Sequence, residues 1–146
     1  MGSVIIREAM HGEVESIADL WLKMCKELNP DAVPDKQAWV QIIQGLFKTG
    51  KYHIVVAEQE GQIIGFLDGF AYLEPSIGQM LGVSQHIYIL PLERGGRIAH
   101  LLYEYIMQFA NNYKIKTVQI TCDHIGKKKW ERKGFKVDKF IMSKEV

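Results

Sequence analysis

The stretch IYILPLERGGRIAHLL, residues 87–102, decides how this chain is read. Strand-forming residues run up to Pro91, Arg94 and Arg97 bracket Gly95 and Gly96, and an apolar-periodic helix begins at once. A helix N-terminus leaves amide N–H groups without internal partners and carries a partial positive charge. Placed directly after a strand, those donors form an anion site beyond the sheet edge. Gly95 and Gly96 let the backbone approach a ligand with no Cβ in the way, and the two arginines add forked donors suited to phosphate oxygens. On the turn alone two readings stand level: a cradle for a phosphate or pyrophosphate, and a tight strand-to-helix connection whose arginines serve solubility. The common nucleotide loops are excluded, because the chain has no GxxxxGK[ST] and no GxGxxG after its first strand.

Working outward, residues 3–9 (SVIIREA) alternate and are β-branched, which predicts a first strand. Val14, Ile17, Ala18, Trp21, Met24, Cys25 and Leu28 recur at helical spacing until the prolines of NPDAVPD end the helix. Asp35 is placed to cap a second helix with Val40, Ile43 and Phe47 on one face and Ala38, Ile42 and Leu46 beside them. YHIVVAEQ and IIGFLDGFAYL, joined by EGQ, read as a hairpin, and MLGVSQHIYIL as the strand that follows. After the helix of the opening stretch, IKTVQITC reads as a strand, GKKKWERK as a short basic helix, and FKVDKFIM as a last strand or tight pair of strands. Antiparallel hairpin strands followed by strand–helix–strand crossovers predict an α/β fold, one mixed twisted sheet with helices on both faces, built as a single domain over residues 1–146.

Of the 146 residues, 47% are apolar and 24% charged, and the net charge of +1 provides no global field for nucleic acid or membrane. No apolar run approaches the roughly 20 residues that span a bilayer, and the start lacks a secretory layout, so a cytoplasmic protein with no membrane partner is expected. Cys25 and Cys122 sit in apolar patterns without close Cys/His pairs, which predicts a reduced chain, no structural metal, and burial for Cys122.

The turn also resembles the acyl-CoA loop of the GNAT superfamily of N-acetyltransferases, V-x-P-x-x-R/Q-G-x-G-x-G/A, with Ile89, Pro91, Arg94, Gly95 and Ala99 on the pattern. Arg97 replaces a glycine of that pattern and is able to bind phosphate itself. A second motif, N-x-x-A-x-x-F-Y-E-K-x-G-F, is similar to DHIGKKKWERKGF through Asp123, Gly126, Trp130, Glu131, Arg132, Gly134 and Phe135. The element order agrees from Ser3 onward, so the resemblance covers nearly the whole chain.

The resemblance implies acetyl-CoA or a short acyl-CoA as cosubstrate, with no metal, and a primary amine as acceptor. It implies that the strand at 80–90 splays from the strand at 115–121, with a bulge breaking the ladder and freeing backbone groups for the pantetheine arm. The amides of Gly95, Gly96, Arg97, Ile98 and Ala99 would hold the pyrophosphate, Asp123 would accept a pantetheine N–H, and the N–H of Ile89 would stabilise the oxyanion. Trp130 takes the place of the family's acidic tyrosine, and an indole is no proton source near neutral pH. For the base, His86 and Glu74 are the candidates; their bland readings are a hydrogen-bonded core histidine and a loop carboxylate facing water. Asp68, inside GFLDGF, reads equally well as a satisfied buried carboxylate, a water relay stays open, and His100 is expected on the helix surface.

The basic run KKKWERKGFK reads as a solvated face, or as attraction for the CoA 3′-phosphate; nucleic acid is disfavoured by the balanced charge. With little chain after the second motif, an open acceptor groove suited to a protein lysine, an N-terminus or another bulky amine is expected. The exposed edges of such sheets leave room for a homodimer. The competing expectation is a catalytically silent member of the same fold that binds acyl-CoA or a partner.

Overall fold

The computed structural model describes every residue except Met1, Asp123, Phe140 and Ile141, and omits the side chains of His124 and Ile125. The described elements run β1 (Val4–Glu8), α1 (Val14–Leu28), α2 (Lys36–Phe47), β2 (Tyr52–Gln59), β3 (Gln62–Glu74), β4 (Gln79–Ile89), α3 (Ile98–Asn112), β5 (Thr117–Ile120) and α4 (His124–Arg132). The strands form one sheet in the order β1-β2-β3-β4-β5. The first three pairings are antiparallel and the last, β4 with β5 across the α3 crossover, is parallel. This is the mixed sheet the alternation of elements predicts.

The two faces of the sheet are covered by different helices, because successive strand side chains point to opposite sides. On one face Ile54, Val56, Phe66 and Tyr88 pack with Val14, Ile17 and Met24 of α1 and with Trp39, Val40 and Ile43 of α2. On the other, Val55, Ala57 and Ile64 meet Ile98 and Leu102 of α3. Asp35 caps α2 as expected, its Oδ1 accepting from the Ala38 N–H at 2.9 Å. Ile42 does not join that helix's packed side: it is exposed, and Trp39 fills the position against Trp21, ring centroids 5.2 Å apart.

Two further expectations are corrected. FKVDKFIM forms no strand among its described residues; residues 136–139 are exposed and in no regular element. Its alternating pattern lacks a partner long enough to pair with, since β5 spans only four residues. Cys122 is exposed rather than buried. Among the described residues, no helix is long and apolar enough to cross a membrane.

Candidate active site

A bulge in β4 shapes the site. Gly69 pairs with Ser84 but Asp68 pairs with His86, so Gln85 is the extra residue. A bulge reverses the side to which following residues point. Before it, Gly82 and Ser84 line a small cavity of about 60 Å³ with Ile106, Phe109 and Ala110 of α3. After it, His86 and Tyr88 lie on the α1–α2 face, His86 against Asp68 and Tyr88 in the core. Gly69 permits the close approach: a Cβ there would sit 2.3 Å from the Val83 carbonyl oxygen.

The same stretch of β4 loses its other neighbour. Pairing with β5 covers only Leu81 to Ser84, whereas β4 continues to Ile89. Among the described residues nothing further pairs there, so residues 85–89 present an open edge of roughly 16 Å at about 3.3 Å per residue. The Leu90 N–H turns to β3, donating to the Ile64 carbonyl at 2.9 Å. Alternation along the strand turns the Ile89 N–H to the open edge.

Beyond that edge the chain makes a single 3-10 turn at Pro91–Glu93 and then the glycine turn. Gly95 has φ +84°, a left-handed conformation that glycine adopts freely and that strains a residue bearing a side chain. Gly96 has no such requirement, and a Cβ there would find no protein atom nearer than 3.9 Å. Nothing inside the protein calls for glycine at 96; what it leaves is open space before the backbone. Arg97 is the N-cap of α3 without a side-chain capping bond, and the first turn of α3 carries no acidic residue. Neither a capping side chain nor a first-turn carboxylate thus competes for the leading amides of α3, those of Ile98 and Ala99 among them.

The two loop arginines are placed differently. Arg94 turns back over β4: its Nε donates to the Ile89 carbonyl at 2.7 Å and its guanidinium pairs with Glu27 of α1 at 2.8 Å, 5.2 Å above the Tyr88 ring. The Tyr88 hydroxyl donates to the other Glu27 oxygen at 2.7 Å. Burial and this bond push the Tyr88 phenol up to about 12, and the bonds from Tyr88 and Arg94 hold the Glu27 carboxyl below its usual range. Sequence reading missed Glu27, since nothing local links it to a loop 67 residues away. Arg97 is exposed, leaving it the loop's outward-facing cation.

His86 and Asp68 come together. Asp68 is 1% exposed, and its carboxylate accepts from the His86 backbone N–H at 2.8 Å, lies 2.9 Å from His86 Nδ1, and accepts from the Tyr52 hydroxyl. The bond to Asp68 raises the His86 pKa against the opposing effect of burial. Burial, then the Asp68 charge, push the Tyr52 phenol far up. Glu74 is elsewhere, at the far end of β3 and six positions from Asp68, or roughly 20 Å along the strand. It accepts from the Ser76 N–H and hydroxyl, bonds that lower its pKa.

Trp130 packs its ring on Phe135 and Tyr103, with centroids 5.3 and 6.3 Å apart, docking α4 on α3. His100 lies on the α3 surface with Nε2 3.0 Å from Glu104. Asp123 lies outside the described residues. No group of three His, Cys, Asp or Glu side chains among the described residues is gathered as for a metal ion.

Comparison with known proteins bears on this geometry. Residues 50–137, which contain the hairpin, the bulge, the glycine turn and α4, match the family described as acetyltransferase (GNAT) domain. Ribosomal-protein-alanine N-acetyltransferase from Brucella melitensis biovar Abortus 2308 superposes with a TM-score of 0.80 at 19% identity, covering 99% of both chains. A predicted acetyltransferase from Clostridium acetobutylicum, solved with acetyl-CoA, gives 0.80 at 14% identity over 98% of this chain and 96% of that one. Glucosamine-6-phosphate N-acetyltransferase from Arabidopsis thaliana gives 0.77 at 16% identity over 98% of each. No match is found among curated proteins.

Proposed function

We propose, for a chain that belongs to the acetyltransferase (GNAT) domain family, that it transfers an acetyl or short acyl group from acyl-CoA to a primary amine on a polypeptide or other bulky acceptor. The observation that carries this reading is one continuous feature: the open edge of β4 past Ser84 runs directly into the glycine turn and the uncapped start of α3. An extended arm fits the edge as an added strand, and a pyrophosphate fits the amides of Gly95, Gly96, Arg97, Ile98 and Ala99. Acetyl-CoA, when bound, supplies the activated thioester carbonyl.

This chain's own residues do the rest. Arg97 neutralises phosphate charge from the rim of the turn. The Ile89 N–H, turned to the open edge, donates to the carbonyl oxygen as negative charge develops on it. His86, on the face toward α1 and α2, takes the proton of the attacking amine. Trp130 donates no proton, so the departing thiolate is protonated from solvent or from the histidine.

The acceptor enters over the α1–α2 face. His86 is 37% exposed there. Exposed residues 136–139 form no strand across it, which supports a bulky rather than an enclosed acceptor. Two readings of one assay test this: free thiol release from acetyl-CoA with lysine-bearing peptides and with polyamines and amino sugars. Turnover of the peptides is expected. Turnover restricted to the small amines would overturn the acceptor class, and calorimetry showing no acetyl-CoA binding would overturn the reading itself.

A further inference from the structure

We infer that Asp68 and Tyr52 are positioning residues for the transfer: Asp68 fixes the His86 ring as its Nδ1–H form with Nε2 directed away from the core, and Tyr52 fixes Asp68. This rests on the proposed transfer reaction and deepens it, by assigning what makes a strand histidine into a base.

A carboxylate 1% exposed is costly unless every oxygen is engaged. Here both oxygens are engaged, by groups from two neighbouring strands: Tyr52 of β2 on Oδ2, and the backbone N–H and Nδ1 of His86 on Oδ1, with Nδ1 also 3.1 Å from Oδ2. No buried side-chain nitrogen or oxygen among the described residues is left unpaired. An ionised carboxylate only accepts, so it selects the histidine form that carries hydrogen on Nδ1. Nε2, at the opposite side of the ring, has no protein partner among the described residues. A purely structural carboxylate has no need of a half-exposed imidazole, and the bulge at Gln85 is what swings that imidazole onto this face beside the open edge.

The chemistry balances. As the amine nitrogen bonds to the carbonyl carbon of the thioester, its proton moves to Nε2. The carbon–sulfur bond breaks and its electron pair leaves with the CoA sulfur. The hydrogen on Nδ1 stays in place, donated to Asp68, which stabilises the imidazolium until Nε2 passes its proton to the thiolate or to water.

Asp68 is the one charge within hydrogen-bond reach of the imidazole among the described residues. Tyr52 of β2 faces it through Asp68, while Tyr88 lies two residues along β4 on the same face, bonded to Glu27 of α1 and covered by Arg94. A base must be neutral to act, so the rise of kcat/KM with pH follows the His86 titration, above its ordinary value of about 6.5.

The test pairs nitrogen-detected NMR of the histidine rings with pH profiles of acetyl-CoA thiol release on a lysine-bearing peptide, for the intact protein, D68N, Y52F and H86Q. Nδ1–H is expected at His86, and H86Q should lose at least a hundredfold in kcat/KM with acetyl-CoA affinity unchanged. D68N removes the negative charge and should move both the His86 titration and the rate limb to lower pH. Y52F strips a donor from Asp68, concentrates its charge on the imidazole, and should move both to higher pH. A packing defect moves neither, or lowers the rate at every pH in both variants. Hydrogen on Nε2, or titrations that shift while the rate limb stays, would overturn the inference. Acetyl-CoA binding with Nδ1–H in place but no turnover of any amine would instead overturn the transfer reading, and the base with it.

Discussion

Arg97 and Arg94 lie three residues apart in one loop and have different surroundings. Arg97 is exposed at the start of α3, so Arg97→Ala should leave thermal stability unchanged and weaken acetyl-CoA about tenfold in calorimetry, the value of one charge-assisted contact of about 1.4 kcal/mol. Arg94 is tied to Glu27, Tyr88 and the Ile89 carbonyl, so Arg94→Ala should lower the melting temperature slightly, because exposed pairs contribute only about 0–1 kcal/mol. Equal loss of affinity in both with no stability difference would contradict this division. At this scale the sequence was legible in patches. A carboxylate inside GFLDGF and a histidine on an apolar strand each announce an unusual environment. That Asp68 and His86 share one was not legible, since a bulge was expected from the resemblance but nothing in the sequence marks its position at Gln85. Glu27 was illegible for a related reason: an exposed glutamate on a helix looks alike whether or not a tyrosine and an arginine arrive from β4.

The hairpin of β3 and β4 turns on small residues, and two glycines separate close approach from mere fit. A Cβ at Gly69 would meet the Val83 carbonyl oxygen at 2.3 Å, while one at Gly82 would meet side-chain carbons of Ile115 and Val118 at 3.5 Å or more. Gly69→Ala should therefore cost about 2–3 kcal/mol in denaturant unfolding or prevent folding, and Gly82→Ala less than about 1 kcal/mol. The reverse order would mean that the bulge is not held by this contact. A different junction joins β1, β2 and the turn before α1. Arg7 donates to Glu13 at 2.7 Å and to Glu58 at 2.8 Å, and its bond to Glu13 holds that carboxyl below its usual value. A lowered folded-state value means the stabilisation is present above the ordinary glutamate range, roughly 4.3, and is lost as the pH falls through the folded value. Melting temperatures should drop over that acid window in the intact protein and drop less in Arg7→Met. Elements with strong periodicity, caps or prolines were legible from sequence. FKVDKFIM forms no strand among its described residues because alternation records which residues suit a strand, not whether a neighbour exists to pair with it.

Among the described residues the sheet has five strands, and the two proposed tasks fall on different faces of it. Its α3 face ends in the glycine turn, its α1–α2 face carries His86, and the open edge of β4 connects them. The order of elements and the mixed pairing were legible because crossovers and hairpins leave few topologies. The placement of His86 on the α1–α2 face was not, since it follows from the reversal at Gln85. With a net charge of +1, the proposed attraction for an anionic carrier rests on local donors and not on an overall field. Titrating nitrogen-labelled protein with acetyl-CoA while following backbone amides tests that claim most directly. Saturable shifts are expected for Gly95, Gly96, Arg97, Ile98 and Ala99 together with Ile89 and its neighbours on the open edge. Shifts that avoid this run, or none at millimolar ligand, would contradict it.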